Sequence, residues 1–217
     1  MNTDIQGIFA MRYGVAAPVI SRRGFLAGAA ALATFSCAFG VPSLAGAATP
    51  DPLRGGSMLD KLVPAIDPTL DLLNAHTNER IVVKFFTATG YDMDAVKQLN
   101  WVWRDWRQSE APQVDVRLWW ALAAIRGAAM KDGHTGETIL LSGFRTLKTN
   151  NMLRSKGIGA ASRSLHLKAQ AVDFRLSGIP IADLSKFASW LQVGGTGRYN
   201  RSGFVHIDSG PERSWNG

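Results

Sequence analysis

Two segments of the chain carry side chains able to hold a metal ion and put it to use. The run Ser164-Leu165-His166-Leu167-Lys168-Ala169-Gln170-Ala171-Val172-Asp173 sets an imidazole and a carboxylate seven residues apart. Gly203-Phe204-Val205-His206-Ile207-Asp208 supplies a second imidazole with its own carboxylate. Zinc accepts histidine nitrogen and carboxylate oxygen, and a hydrolytic site uses three protein ligands while a fourth position stays open to water. His166, Asp173 and His206 make one such set, for one Zn2+ per chain, and peptide hydrolysis is the natural reaction class. The competing reading is an ordinary ion pair of Asp173 with Arg175 or Arg145 and two structural histidines.

If Phe204 to Asp208 is a strand, His206 and Asp208 point to one face while Val205 and Ile207 point to the other. Asp208 is then either the general base that takes a proton from water or a group that orients a ligand. The other two histidines receive no role: His76 falls in a leader segment and His134 in a polar turn.

The elements that must position these groups can be read from periodicity. Ala171 to Leu176 alternates as a strand, which places Asp173 and Arg175 on one face. Thr138 to Phe144 reads as a buried strand that delivers Arg145 at its end, where charged residues often face a cleft. Thr149 to Leu153 reads as a short helix, and Gly157, Gly159 and Ser162 form a loop leading into His166. Asp94 to Gln108, with Asp92 as cap, and the run from Asp115 to Met130, stopped by Gly133, have helical spacing. Leu184, Phe187, Ala188 and Leu191 space out another helix after Pro180. Trp101, Trp103, Trp106, Trp119 and Trp120 could stack on sugar rings, but their helical spacing assigns most of them to a core. Glu79 to Phe86 has strand composition. Strands on either side of a helical pair, followed by a hairpin, indicate an α+β fold.

At 217 residues the chain fits one domain of ordinary size plus an N-terminal extension. Ser21-Arg22-Arg23-Gly24-Phe25-Leu26 precedes an apolar, Ala-rich run, and Ala45-Gly46-Ala47 offers a cleavage point, so residues 1–47 read as a twin-arginine export signal. An uncleaved anchor is the competing reading, since the apolar run approaches spanning length. After cleavage no stable membrane insertion is expected, and the chain belongs in the periplasm or cell envelope. Residues 48–78, with Pro50, Pro52, Pro64 and Pro68, read as a loosely packed leader or linker, and residues 79–217 as the catalytic domain. Cys37 is the single cysteine, so the mature chain has neither a disulfide nor a thiol nucleophile. The net charge is +7, and +5 once residues 1–47 are removed. That excess favours an anionic polymer. Nucleic acid is set aside because no Lys/Arg-rich stripe or nucleic-acid motif is present.

Ser142-Gly143-Phe144-Arg145, then Ser164-x-His166 with Asp173, then His206-Ile207-Asp208, occur in an order that resembles the murein endopeptidase K-like zinc peptidases of the D-Ala-D-Ala metallopeptidase (hedgehog-like) superfamily. The resemblance runs from about Glu79 to Trp215 and includes the aromatic helix pair and the Gly194-Gly195-Thr196-Gly197-Arg198-Tyr199 approach. It implies a small central antiparallel sheet with flanking helices and a zinc site in a cleft on that sheet. It also implies cleavage of peptide cross-links or stem peptides in peptidoglycan. His166, Asp173 and His206 are its implied zinc ligands, and Arg145 is implied to hold a substrate carboxylate or polarised carbonyl, to which a planar guanidinium is suited. Ala169 stands where the superfamily pattern has glycine, and Gly203 stands where many relatives place an acidic base three residues before the final histidine. By the strand geometry above, Asp208 is the expected base. A non-catalytic, zinc-containing peptidoglycan-binding module is the alternative, and a zinc-dependent amidase or peptidase acting on substrates outside the wall a third.

Overall fold

Capping chemistry sets most helix starts. In the computed structural model, which describes residues 55–217, the helices are α1 (Met58–Leu62), α2 (Met93–Val102), α3 (Val116–Lys131), α4 (Leu147–Ser155) and α5 (Ile181–Trp190). The side chains of Ser57, Asp92, Asp115 and Thr146 each accept a backbone N–H of the turn that follows, satisfying donors a helix start leaves open. Helix α5 instead follows Pro180. Residues 1–47, read as an export signal, lie outside the described residues.

Helix α2 stops earlier than its apolar spacing predicts. Trp103 is its C-cap, and beyond it Asp105 pairs with Glu110 in an isolated bridge while Ser109 takes a φ of 53°. The Asp105 carboxylate holds this turn together by accepting the N–H of Arg107 and both the N–H and the hydroxyl of Thr146. Among the tryptophans, Trp103, Trp119 and Trp120 are core residues, but Trp101 is 49% and Trp106 37% exposed. These two stay outside the core because Trp106 lies past the end of the helix and Trp101 lies on its outer side.

The strands are β1 (Thr69–Asn74), β2 (Arg80–Lys84), β3 (Phe86–Thr87), β4 (Gly90–Tyr91), β5 (Thr138–Ser142), β6 (Ala171–Leu176), β7 (Gly195–Tyr199), β8 (Phe204–Asp208) and β9 (Arg213–Asn216). Seven of them form one sheet in the order β2-β1-β5-β6-β8-β7-β9, and β3 with β4 forms a separate hairpin. The sheet is mixed, with β1 parallel to β5 and β7 parallel to β9.

The small antiparallel sheet expected from the sequence is thus corrected to a large mixed one, within the same α+β class. Two strands account for the difference. β1 lies in the Pro-rich segment expected to be loose, yet Pro64 and Pro68 precede the strand instead of interrupting it, and Leu70 and Leu72 are fully buried. The connection from β1 to β5 runs through β2, α2 and α3, a length of chain that permits parallel pairing. β9 is a short edge strand carrying exposed polar residues, which gives it little apolar alternation to read.

Alternation along β6 and β8 sorts the two faces of the sheet. Val172, Phe174, Leu176, Val205 and Ile207 join the buried core to which α3 and α5 contribute Leu118, Trp119, Leu122, Leu184 and Ala188. Asp173, His206 and Asp208 fall on the opposite face.

Candidate metal centre

The site begins with a register. On neighbouring antiparallel strands Asp173 of β6 stands directly opposite His206 of β8, so their side chains are cross-strand neighbours on one face. His166 reaches the same point from a short 3-10 helix, Leu165–Lys168, capped by the Ser164 hydroxyl, which accepts the His166 N–H. The turn ends at Ala169 in the left-handed region, at φ 53° and ψ 32°, where a residue lacking a Cβ fits most easily. A glycine, as the superfamily pattern has at this position, would adopt that conformation without strain. Ala169 is itself buried, so the turn is held by packing as well as by hydrogen bonds.

The exit of β5 supports the turn from behind. The His166 ring donates from Nδ1 to the Gly143 carbonyl at 2.6 Å, and the Arg145 N–H donates to the His166 carbonyl at 3.1 Å. A Cβ on Gly143 would stand 2.5 Å from the Trp103 carbonyl oxygen, so the strand end can approach α2 only without a side chain there. The Ser142-Gly143-Phe144-Arg145 run and the Ser164-x-His166 run are thus two halves of one support.

The donor atoms converge. His166 Nε2 lies 3.3 Å from His206 Nδ1 and 3.3 Å from Asp173 Oδ2, and His206 Nδ1 lies 2.7 Å from Asp173 Oδ1. One donor atom from each of the three residues falls within 4.8 Å of the others. With Nδ1 committed to Gly143, His166 presents Nε2. His206 is turned the other way: its Nε2 donates to Asp208 Oδ2 at 3.1 Å, leaving Nδ1 toward the cluster.

Asp208 sits behind His206 and is fully buried. Its Oδ1 accepts the N–H groups of Gly195 and Gly210 and an Arg213 N–H, while Oδ2 accepts from His206 and, at 2.6 Å, from Arg213. A Cβ on Gly195 would lie 2.5 Å from Asp208 Oδ2, which explains a glycine inside strand β7. Arg213 and the β7 glycines are contributors that the sequence reading did not assign. The Arg213 side chain lies near Asp208 only because β9 runs beside β7, a pairing without a sequence signal.

Electrostatics follow from this wiring. Burial opposes charge on Asp173, but His166 and His206 outweigh it and hold the carboxyl well below the usual range. Burial likewise opposes ionised Asp208, and the bonds from His206, Arg213, Gly210 and Gly195 prevail, so it too stays ionised. Burial pulls His166 down. Burial also pulls at His206, yet the carboxylates on its two nitrogens push it up to about 9.

A cavity of about 450 Å³ opens over the cluster. Besides the three donors it is lined by Arg107, Arg145, Arg163, His76, Tyr199 and Trp215. Arg145 is where the sequence reading expected it, with its Nε buried and without a hydrogen-bond partner among the described residues. Burial lowers its pKa while Asp173 opposes that shift. Gly203, at the position many relatives give to an acid, has a φ of +67° in the turn before β8. His76, read as part of a leader, instead lies in the cavity wall.

Two imidazoles and one carboxylate are a donor set suited to zinc with a coordination position left open, and the second nitrogen of each imidazole is already occupied by a fixed acceptor. The residues present therefore fit a bound metal ion.

Residues 65–215 match the family described as Peptidoglycan L,D-endopeptidase MepK. The peptidoglycan L,D-endopeptidase MepK of Escherichia coli strain K12 is 40% identical over 146 residues, 67% of this chain and 79% of that protein. The probable peptidoglycan L,D-endopeptidase MepK of Haemophilus influenzae is 33% identical over 149 residues, 68% of this chain and 78% of that protein. No solved structure matches the chain.

Proposed function

The chain belongs to the MepK family of M15 metallopeptidases, and from that premise we propose that it is an exported zinc endopeptidase hydrolysing peptide cross-links of peptidoglycan during cell-wall remodelling. The relatives' name favours the L,D bond as the one cut. The observation that carries the reading is the convergence of His166 Nε2, Asp173 and His206 Nδ1 in an Arg-lined cavity. These three residues hold the metal. Bound there, zinc supplies a Lewis acid for a peptide carbonyl and lowers the pKa of water.

The chain's own groups do the rest. Arg145, half-buried in the cavity wall with a buried and uncommitted Nε, receives a substrate carboxylate or the carbonyl oxygen as charge develops on it. Asp208 fixes the tautomer and orientation of His206 from behind, and its carboxylate has no oxygen left for a second task. That geometry supports the orienting role over the general-base role, so the base is to be sought elsewhere.

Purified sacculi incubated with the protein should release muropeptide fragments, and a chelator should stop the release until zinc is restored. His166→Ala and His206→Ala should each bind zinc well below one equivalent per chain. Full zinc in both variants, by elemental analysis, would remove the ligand assignment. Absence of any fragment from zinc-loaded protein would remove the activity.

A further inference from the structure

Peptide hydrolysis requires a group that accepts a proton from water and returns it to the leaving nitrogen. The carboxylates lining the cavity among the described residues are Asp173 and Asp208. Asp173 is bound up with both histidines of the cluster, and Asp208 is saturated by Gly195, Gly210, Arg213 and His206. Gly203 offers no side chain.

His76 remains. It follows β1 in the connection to β2, and its backbone N–H donates to the Asn74 side chain. Its Nε2 donates to the Leu141 carbonyl at 2.9 Å. A carbonyl can only accept, so this bond fixes the tautomer and leaves Nδ1 as a lone-pair acceptor. No hydrogen bond to Nδ1 is formed among the described residues. The ring is stacked on Trp106 at 5.1 Å and 26°, which fixes its plane. Leu141 precedes Ser142, the residue of β5 that pairs with Asp173 of β6. The imidazole is therefore anchored one residue from the strand position adjoining the metal cluster, and both border the same cavity. The charged groups around it are Arg107 and Arg145 in that cavity, with Arg104 and Asp105 in the small cleft beside it. Imidazole is the side chain whose ordinary pKa lets it accept and donate near neutral pH.

We propose that His76 is the proton-transfer group of the peptidase, a role that rests on the endopeptidase reading above. Nδ1 takes a proton from water as the water oxygen bonds to the peptide carbonyl carbon. It returns that proton to the amide nitrogen as the C–N bond breaks. The products are a carboxylic acid and an amine, which ionise in solvent.

The test compares zinc-loaded full-length protein with His76→Gln, whose amide can still donate to Leu141, and with His76→Ala, on a muropeptide digest of sacculi. The expected result is a kcat lower by about 10²–10³-fold in both variants. KM, zinc per chain and melting temperature should hold. Added imidazole should restore part of the rate of His76→Ala, and muropeptide should shift the His76 ring signals in NMR spectra of the wild type. A His76→Gln enzyme with wild-type kcat, or a loss confined to KM or zinc content, overturns the role of His76. A wild type that releases no fragments counts instead against the endopeptidase reading itself.

Discussion

At the scale of the residue, the site shows how a side chain's second atom decides what its first can do. His166 and His206 are both imidazoles of the same cluster, yet they present opposite nitrogens, because one is held by a backbone carbonyl and the other by Asp208. An orienting Asp208 and a catalytic Asp208 predict different defects. For Asp208→Asn we expect zinc affinity about 10–100-fold weaker, as for lost outer partners of metal ligands, with turnover at saturating zinc largely kept. Zinc titrations alongside muropeptide release separate the two roles, since a kcat drop of about 10²–10⁴-fold at saturating zinc would make Asp208 the base after all. The residue pattern foretold that Asp208 neighbours His206, because a two-residue offset on a strand fixes the face. It left open which side of the ring the carboxylate occupies, because that is set by Arg213 and the Gly195 and Gly210 N–H groups.

At the scale of the element, the clearest internal tie is Asp60 of α1 to Arg117 of α3. The Asp60 oxygen lies 2.6 Å from the guanidinium, with both side chains nearly inaccessible, and Arg117 also donates to Ser57 and the Val193 carbonyl. Burial alone raises the Asp60 pKa, but the hydrogen bonds from Arg117 and Ser57 outweigh it, so the folded value lies below the ordinary one. A lowered acid pKa stabilises the fold fully above about pH 4 and loses that contribution as the pH falls through the folded value. Asp60→Ala should cost about 3 kcal/mol near neutral pH, since it takes the Asp60 carboxylate away from a buried guanidinium. Denaturant unfolding across a pH series should show the gap to wild type closing only on the acid side. A gap that stays constant into acid would mean the pair contributes nothing through ionisation. The start of α3 at Asp115 was legible because a cap is local, whereas α1 falls in the Pro-rich segment expected to be loose; the tie itself joins residues 57 positions apart and has no pattern in the chain.

At the scale of the whole molecule, the proposed export of the chain is open to a direct test at its N-terminus. The paired Arg22 and Arg23, with the small residues at Ala45 to Ala47, predict that changing both arginines to lysine blocks export. Fractionation followed by N-terminal sequencing checks this: wild type should appear in the envelope starting after Ala47, and the variant should stay in the cytoplasm with its leader. Unimpaired export of the variant would exclude the twin-arginine route. By itself, the sequence determined the α+β class, the family, the Asp92 cap and the start of α3 at Asp115, the strand faces of Asp173 and His206, and the order of the motifs, because each rests on spacing within one segment or on local chemistry. Only the tertiary structure decided that the sheet has seven strands with parallel pairs at β1 and β9, that Trp101 and Trp106 are exposed, and that Asp208 lies behind His206. It also moved His76 from an unassigned leader position to the cavity wall. Pairing between distant strands depends on backbone hydrogen bonds that any side chain permits, so which strands become neighbours leaves little trace in residue type. The neighbours of Asp208 and His76 are settled by that choice.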